Sequence, residues 1–237
     1  MAIYFTGDTH GGIDTRKLNT KNFPEGKSLS KRDYLVVTGD FGIWNDKQSM
    51  NFLNWLDKTK TFTVLFVEGN HEDYTFLKTF PLIDKFNNKV RKINDSVYQL
   101  LRGEIYNIEG YDFFAFGGAR SIDKFSARRQ EGIDWFPEEE STYLEENNAL
   151  TNLEKNGNKV DFIITHTCAK STLDELSKLF GFYVEDYDNQ SKFFEELKNT
   201  IEYKGWLFGH FHYDLIINDK EVLLYNRVKS LEELFQL

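Results

Sequence analysis

Residues 3–12 read IYFTGDTHGG. Ile3, Tyr4 and Phe5 form a short β-branched and aromatic run, and behind it Asp8 and His10 stand two apart among Gly7, Gly11 and Gly12. An apolar run of strand length that stops at Gly, Asp or His is the pattern of a buried strand feeding a loop. On its own the loop is an ordinary turn, because Asp and Gly are common turn formers and one histidine in a turn usually does nothing. Its meaning depends on whether the pattern recurs.

It recurs four times, as DYLVVTGDFG at 33–42, TVLFVEGNHED at 63–73, DFIITHT at 161–167 and GWLFGHFH at 205–212. Near-continuous apolarity, rather than alternation, predicts strands buried on both faces. Between these runs lie helical patterns: Lys47 to Lys58 with Phe52, Trp55 and Leu56 on one side, Asp73 to Phe80, the acidic stretch Pro137 to Lys155, and Ser191 to Ile201. Strands alternating with helices indicate a layered α/β fold. Ser96 to Gly118 contains three short apolar runs split by Gly-containing turns and reads as an antiparallel meander. A second meander is expected over Phe211 to Tyr225, with Asn218 and Asp219 at its turn, so the sheets are expected to be mixed.

Composition limits what such loops can do. A chain of 237 residues that is 40% hydrophobic and 16% aromatic can build one substantial core, and a single domain over 1–237 is expected. No run approaches the roughly 18 apolar residues of a membrane span. Met1 leads straight into the first strand-like segment, so no export signal is expected. The single cysteine, Cys168, excludes an internal disulfide and a thiolate metal site; it reads as a small buried packing residue in a cytoplasmic protein. The formal charge of −9 argues against an extended nucleic-acid surface and leaves room only for a local basic patch.

All five histidines fall in the five loops: His10, His71, His166, His210 and His212. Ligands of open α/β sheets collect beyond the carboxyl ends of strands, which is where these residues would stand. Carboxylates Asp8 and Asp40, the amide oxygen of Asn70 and several imidazoles, without a thiolate, suit Mn²⁺, Fe²⁺ or Zn²⁺ better than Ca²⁺. In extended chain, residues two apart share a face, so Asp8 and His10 can converge on one ion and His210 and His212 on neighbouring ones. The donors outnumber the needs of one ion. Two divalent ions about 3.5–4 Å apart, sharing a carboxylate and a hydroxide, form a common arrangement for in-line attack on phosphorus. Asp40, alone in its loop, is the candidate bridge.

In order, the chain carries Asp8/His10, Gly39-Asp40, Gly69-Asn70-His71-Glu72, an isolated strand-end His166 and Gly209-His210-Phe211-His212. This series resembles the calcineurin-like metallophosphoesterases, whose pattern is DxH, GD, GNH(E/D), a strand-end His and GHxH. The resemblance implies two packed mixed β-sheets flanked by helices. It implies that Asp8, His10, Asp40 and His212 hold one metal, and that Asp40, Asn70, His166 and His210 hold the second. His71 would then face the phosphate, as a catalytic group stabilising or protonating the leaving oxygen.

One departure bears on substrate. Phosphoprotein phosphatases of this superfamily carry GDxxDRG in the second loop, whose arginine meets the phosphate; here that loop reads GDFGIWND and has none. Arg120, Arg128 and Arg129 are the candidate replacement, with Trp135 nearby, since arginine recognises phosphate bidentately. They also read as surface charges balancing the neighbouring glutamates. The expected activity is hydrolysis of a soluble small phosphomonoester, phosphodiester or nucleotide. A non-catalytic scaffold of the same fold, a protein phosphatase and a nuclease are the alternatives.

Overall fold

Each apolar run ahead of a donor-bearing loop forms a strand: β1 (Ile3–Thr6), β2 (Tyr34–Thr38) and β3 (Thr63–Val67) early in the chain, and β9 (Phe162–Thr165) and β10 (Gly205–Phe208) later. The structure, a computed structural model, describes residues 1–122, 124, 126, 128–184 and 186–236. The other strands are β4 (Leu82–Lys85), β5 (Asn88–Lys92), β6 (Val97–Leu100), β7 (Glu104–Ile108), β8 (Tyr111–Phe116), β11 (Leu215–Ile216), β12 (Glu221–Leu223) and β13 (Lys229–Ser230). The helices are α1 (Lys47–Thr59), α2 (Tyr74–Leu77), α3 (Tyr143–Lys155), α4 (Lys170–Phe180), α5 (Asn189–Thr200) and α6 (Leu231–Phe235).

The strands make a seven-stranded sheet in the order β13-β1-β2-β3-β6-β5-β4 and a six-stranded sheet in the order β11-β12-β10-β9-β8-β7. Within the first, β1, β2, β3 and β6 run parallel; within the second, β8, β9, β10 and β12 do. The inner faces meet in one core built from Phe5, Val36 and Leu65 on one side and Phe113, Phe162 and Leu207 on the other, each without solvent exposure. Such a side chain contributes roughly 1.5–3 kcal/mol relative to an exposed one. The outer face of the first sheet packs on α1, whose buried Ser49, Phe52, Leu53 and Leu56 recur at helical spacing. Helices α3, α4 and α5 cover the outer face of the second, around Phe114, Ile163 and Trp206. This is an α/β fold of two mixed sheets flanked by helices. No helix among the described residues is long and apolar enough to cross a membrane.

Three expectations need correction. The segment 96–118 is not one meander: β6 already has β3 on one edge and β5 on the other, so β7 cannot pair with it. The chain crosses there to the second sheet, where β7 and β8 form a hairpin. Helix α2 is a single turn capped by the Asp73 side chain, and residues 79 and 80 follow in tighter i−3 bonds ahead of Pro81, which disfavours helix before it. The acidic stretch from Pro137 is a short 3₁₀ turn, Pro137–Glu139, and then α3, which a Thr142–Glu145 capping box starts afresh. The second meander is the β11–β12 hairpin, with Asn218 at its turn accepting backbone N–H from Lys220 and Glu221. Cys168 is buried against α4 and α5, and burial holds its thiol well above the usual range.

Candidate metal centre

Because β1, β2 and β3 are parallel neighbours, as are β9 and β10, the five loops leave their sheets at carboxyl ends that face one another. Backbone bonds lock them together. The N–H groups of Thr9 and His10 both donate to the Asp40 carbonyl at 2.9 Å, and that of Gly209 donates to the His166 carbonyl at 3.0 Å. Across the sheets, His166 Nδ1 donates to the Thr38 carbonyl at 2.9 Å, and the His210 N–H donates to Asp8 Oδ1 at 3.2 Å. Holding the donors this close strains the backbone: His10, Asp40, His210 and His212 have φ of 44°, 43°, 73° and 53°. Non-glycine residues in that region cost on the order of 1–3 kcal/mol each and cluster at functional sites. Two glycines make the approach possible. A Cβ on Gly39 would lie 2.0 Å from His166 Nδ1, and one on Gly69 would lie 2.1 Å from Asp40 Oδ1.

The donor atoms form three overlapping groups, each within 4.8 Å: His10, Asp40 and His71; Asp40, His166 and His210; and Asp8, Asp40 and His212. Asp40 belongs to all three. Its Oδ2 lies 3.2 Å from His10 Nε2 and its Oδ1 lies 3.3 Å from His166 Nε2, so each oxygen addresses a different half of the cluster. Asn70 Nδ2 donates to Ser121 Oγ at 3.1 Å, which turns the amide oxygen inward to 3.2 Å from His166 Nε2. Asp8 Oδ2 is buried and accepts no hydrogen bond among the described residues, while His212 Nε2 stands 3.3 Å away. A buried carboxylate oxygen without a donor, facing imidazole nitrogens, is the surrounding a divalent cation satisfies. The structure therefore brings together Asp8, His10, Asp40, Asn70, His166, His210 and His212. It puts His71 beside them as well, its ring 5.6 Å from that of His10.

Residues the sequence reading did not assign orient these donors. Asp14 Oδ2 accepts a hydrogen bond from His10 Nδ1 at 2.7 Å, as the Thr38 carbonyl does from His166 Nδ1. Both imidazoles thus turn Nε2 toward the centre, where loss of its proton to a bound cation would make it a ligand. The fully buried Glu72 accepts the N–H groups of Gly42 and Ile43, at 3.1 and 2.7 Å, and ties the third loop to the second. The Arg102 Nε to Glu68 Oε1 pair, at 2.6 Å, is buried on both sides. Arg102 also donates to the Tyr74 hydroxyl, which itself donates to the Gly69 carbonyl at 2.8 Å. Glu72, in the quoted GNHED stretch, carried a sequence signal; Asp14, Ser121 and Arg102 carried none.

Charge follows geometry. Burial would push His10 and His166 down, but the Asp40 carboxylate beside each outweighs it and both are raised to about 9. Burial raises Asp8 to about 6 against the opposing pull of His166. Asp40 is held well below the usual carboxylate range, since the His166 and His10 contacts overcome its burial. Burial and neighbouring His166 lower His210 to about 3, and burial lowers His71 and His212. Burial likewise lifts Glu72 to about 8, against the backbone N–H groups that favour its ionised form.

The arginine segment is divided by the structure. Arg129, half-buried, donates through Nη2 to Ser121 Oγ at 3.4 Å and lies near enough to His71 for its charge to lower that imidazole. Arg128 is exposed and Arg120 half-buried. Residues 123, 125 and 127 of this stretch lie outside the described residues.

The sequence model of the calcineurin-like phosphoesterase family matches residues 1–214. No curated protein matches the chain. Among solved structures, a protein of unknown function from Aquifex aeolicus is similar at 16% identity over 85% of this chain and 87% of that one, with a TM-score of 0.36. The family match spans every loop of the cluster, and the chain belongs to the calcineurin-like phosphoesterases.

Proposed function

We propose that the chain is a dinuclear metal-dependent phosphoesterase acting on a small soluble phosphate ester, whether monoester, diester or nucleotide. The observation that carries this reading is Asp40, common to all three donor groups and pointing one oxygen at His10 and the other at His166. One ion would be held by Asp8, His10, Asp40 and His212 and the other by Asp40, Asn70, His166 and His210. The donor set suits Mn²⁺, with Fe or Zn²⁺ as alternatives. When bound, such ions acidify coordinated water and neutralise charge developing on phosphoryl oxygens.

The chain's own groups supply the remainder. Asp14 and the Thr38 carbonyl hold the Nδ1 protons of His10 and His166, which keeps each Nε2 aimed inward. His71 would hold a proton at the leaving oxygen, on a loop fixed by its N–H bond to Asp40 Oδ1. Arg129 would bind a non-bridging phosphate oxygen. The complete donor set and the retained His71 favour an enzyme over a binding scaffold of the same fold. The second loop, without an arginine, does not favour a protein phosphatase, and a net charge of −9 does not favour long nucleic acids.

A screen of metal-reconstituted protein against aryl phosphomonoesters, aryl phosphodiesters, dinucleoside polyphosphates, cyclic nucleotides and phosphopeptides tests the reading. Hydrolysis of a small ester is expected, abolished by chelation and restored better by Mn²⁺ than by Ca²⁺. Protein that holds two Mn²⁺ ions and cleaves none of these substrates would instead be a scaffold.

A further inference from the structure

His10 and His166 are each oriented by a hydrogen bond at Nδ1, but the His212 ring makes no hydrogen bond among the described residues. Its side chain is 49% exposed and its backbone lies at φ 53°. Two rings pack on it: Tyr225 stacks on the imidazole face with centroids 4.7 Å apart and planes within 6°, and His10 meets it edge-on at 5.1 Å. Tyr225 is itself fixed at both backbone groups. Its N–H donates to Asp214 Oδ1 at 2.8 Å, and its carbonyl accepts from Thr6 Oγ1 at 3.1 Å and from Lys17 Nζ. Lys17 is 3% exposed, and its ammonium also donates to the carbonyls of Gly7 and Asp8 at 2.6 Å each. That ammonium lies 4.8 Å from the centroid of the phenol ring. One buried cation thereby joins the loop carrying Asp8 to the residue stacked on His212, across more than 200 positions of sequence. The phenol sits against Asp14, the carboxylate that orients His10.

We propose that Tyr225 is a positioning residue for one half of the metal centre, holding His212 by its ring and the Asp8 loop through Lys17. The inference rests on the metal reading above and goes beyond it, since Tyr225 lies outside the residues, 1–214, that the family model matches. A side chain that fixes a ligand's ring orientation is worth about 10–100-fold in metal affinity.

Calorimetric Mn²⁺ titration of wild type, Tyr225→Phe and Tyr225→Leu tests it, beside circular dichroism. The expected result is near wild-type binding for Tyr225→Phe, which keeps the ring. Tyr225→Leu should weaken one of two sites by about 10–100-fold and leave the other unchanged. Wild-type affinity at both sites in Tyr225→Leu, or equal weakening of both in a folded variant, would overturn the proposal. Should Tyr225→Leu not fold, wild type loaded with diamagnetic Zn²⁺ decides: ring-current upfield shifts of the His212 imidazole protons support the stack, and unshifted protons overturn it. A wild-type protein that binds no Mn²⁺ would instead defeat the metal reading and this inference with it.

Discussion

Asp40 Oδ1 accepts the backbone N–H of His71 at 2.9 Å. The carboxylate at the centre of the donor cluster therefore also sets the loop that presents the proposed proton donor, and the two functions are mechanically joined. Removal of the His71 side chain leaves that N–H bond in place, so chemistry and metal binding should separate. His71→Ala is expected to keep its metal content and lose about 10²–10⁴-fold in turnover. The loss should be smaller for nitrophenyl esters, whose leaving group needs no proton, than for alkyl esters. Because the His71 ring also approaches His10 and Asp40, elemental analysis is the check: loss of an ion would make His71 a ligand.

Gly69 is a steric requirement. An added Cβ would lie 2.1 Å from Asp40 Oδ1 and 2.3 Å from its backbone nitrogen, and the backbone atom cannot swing aside. Gly69→Ala should cost about 1–3 kcal/mol of stability as an overpacking change and lower metal occupancy. Thermal melts with and without Mn²⁺ measure both, and a variant matching wild type in both would show that Asp40 tolerates displacement.

Arg102 anchors the same loop from below. It and Glu68 are buried together, so Arg102→Met leaves a carboxylate without its cation. A loss of about 3–5 kcal/mol in urea unfolding is expected. A loss below about 1 kcal/mol would mean that Glu68 finds another partner or a proton.

The two adjacent arginines should differ. Arg129 bonds Ser121, the same hydroxyl that orients Asn70, whereas Arg128 points into solvent. Arg129→Ala is expected to raise KM for a small ester several-fold at unchanged metal content, and Arg128→Ala to behave as wild type. Identical kinetics for both variants would return the segment to ordinary surface charge.

Much of this was legible in the residues themselves. The five strand-loop units announce their burial because β2, β3, β9 and β10 are apolar at nearly every position and buried throughout. The donors share short motifs with glycines that must stay small. Other parts carried no local mark. The β4–β5 hairpin, LIDK and NKVRK, is largely half-exposed at a sheet edge and so reads as polar chain. Its pairing with β6 is what separates β6 from β7. Asp14, Ser121, Arg102 and Tyr225 act through tertiary contacts, and no periodicity distinguishes them from surface residues.

Metal stoichiometry tests the central claim most directly. Elemental analysis after Mn²⁺ saturation and removal of free ion should find two ions per wild-type chain and fewer in Asp40→Asn, where the residue common to every donor group loses its charge. No bound metal in wild type, or two ions held with wild-type affinity by Asp40→Asn, would contradict a carboxylate-bridged pair.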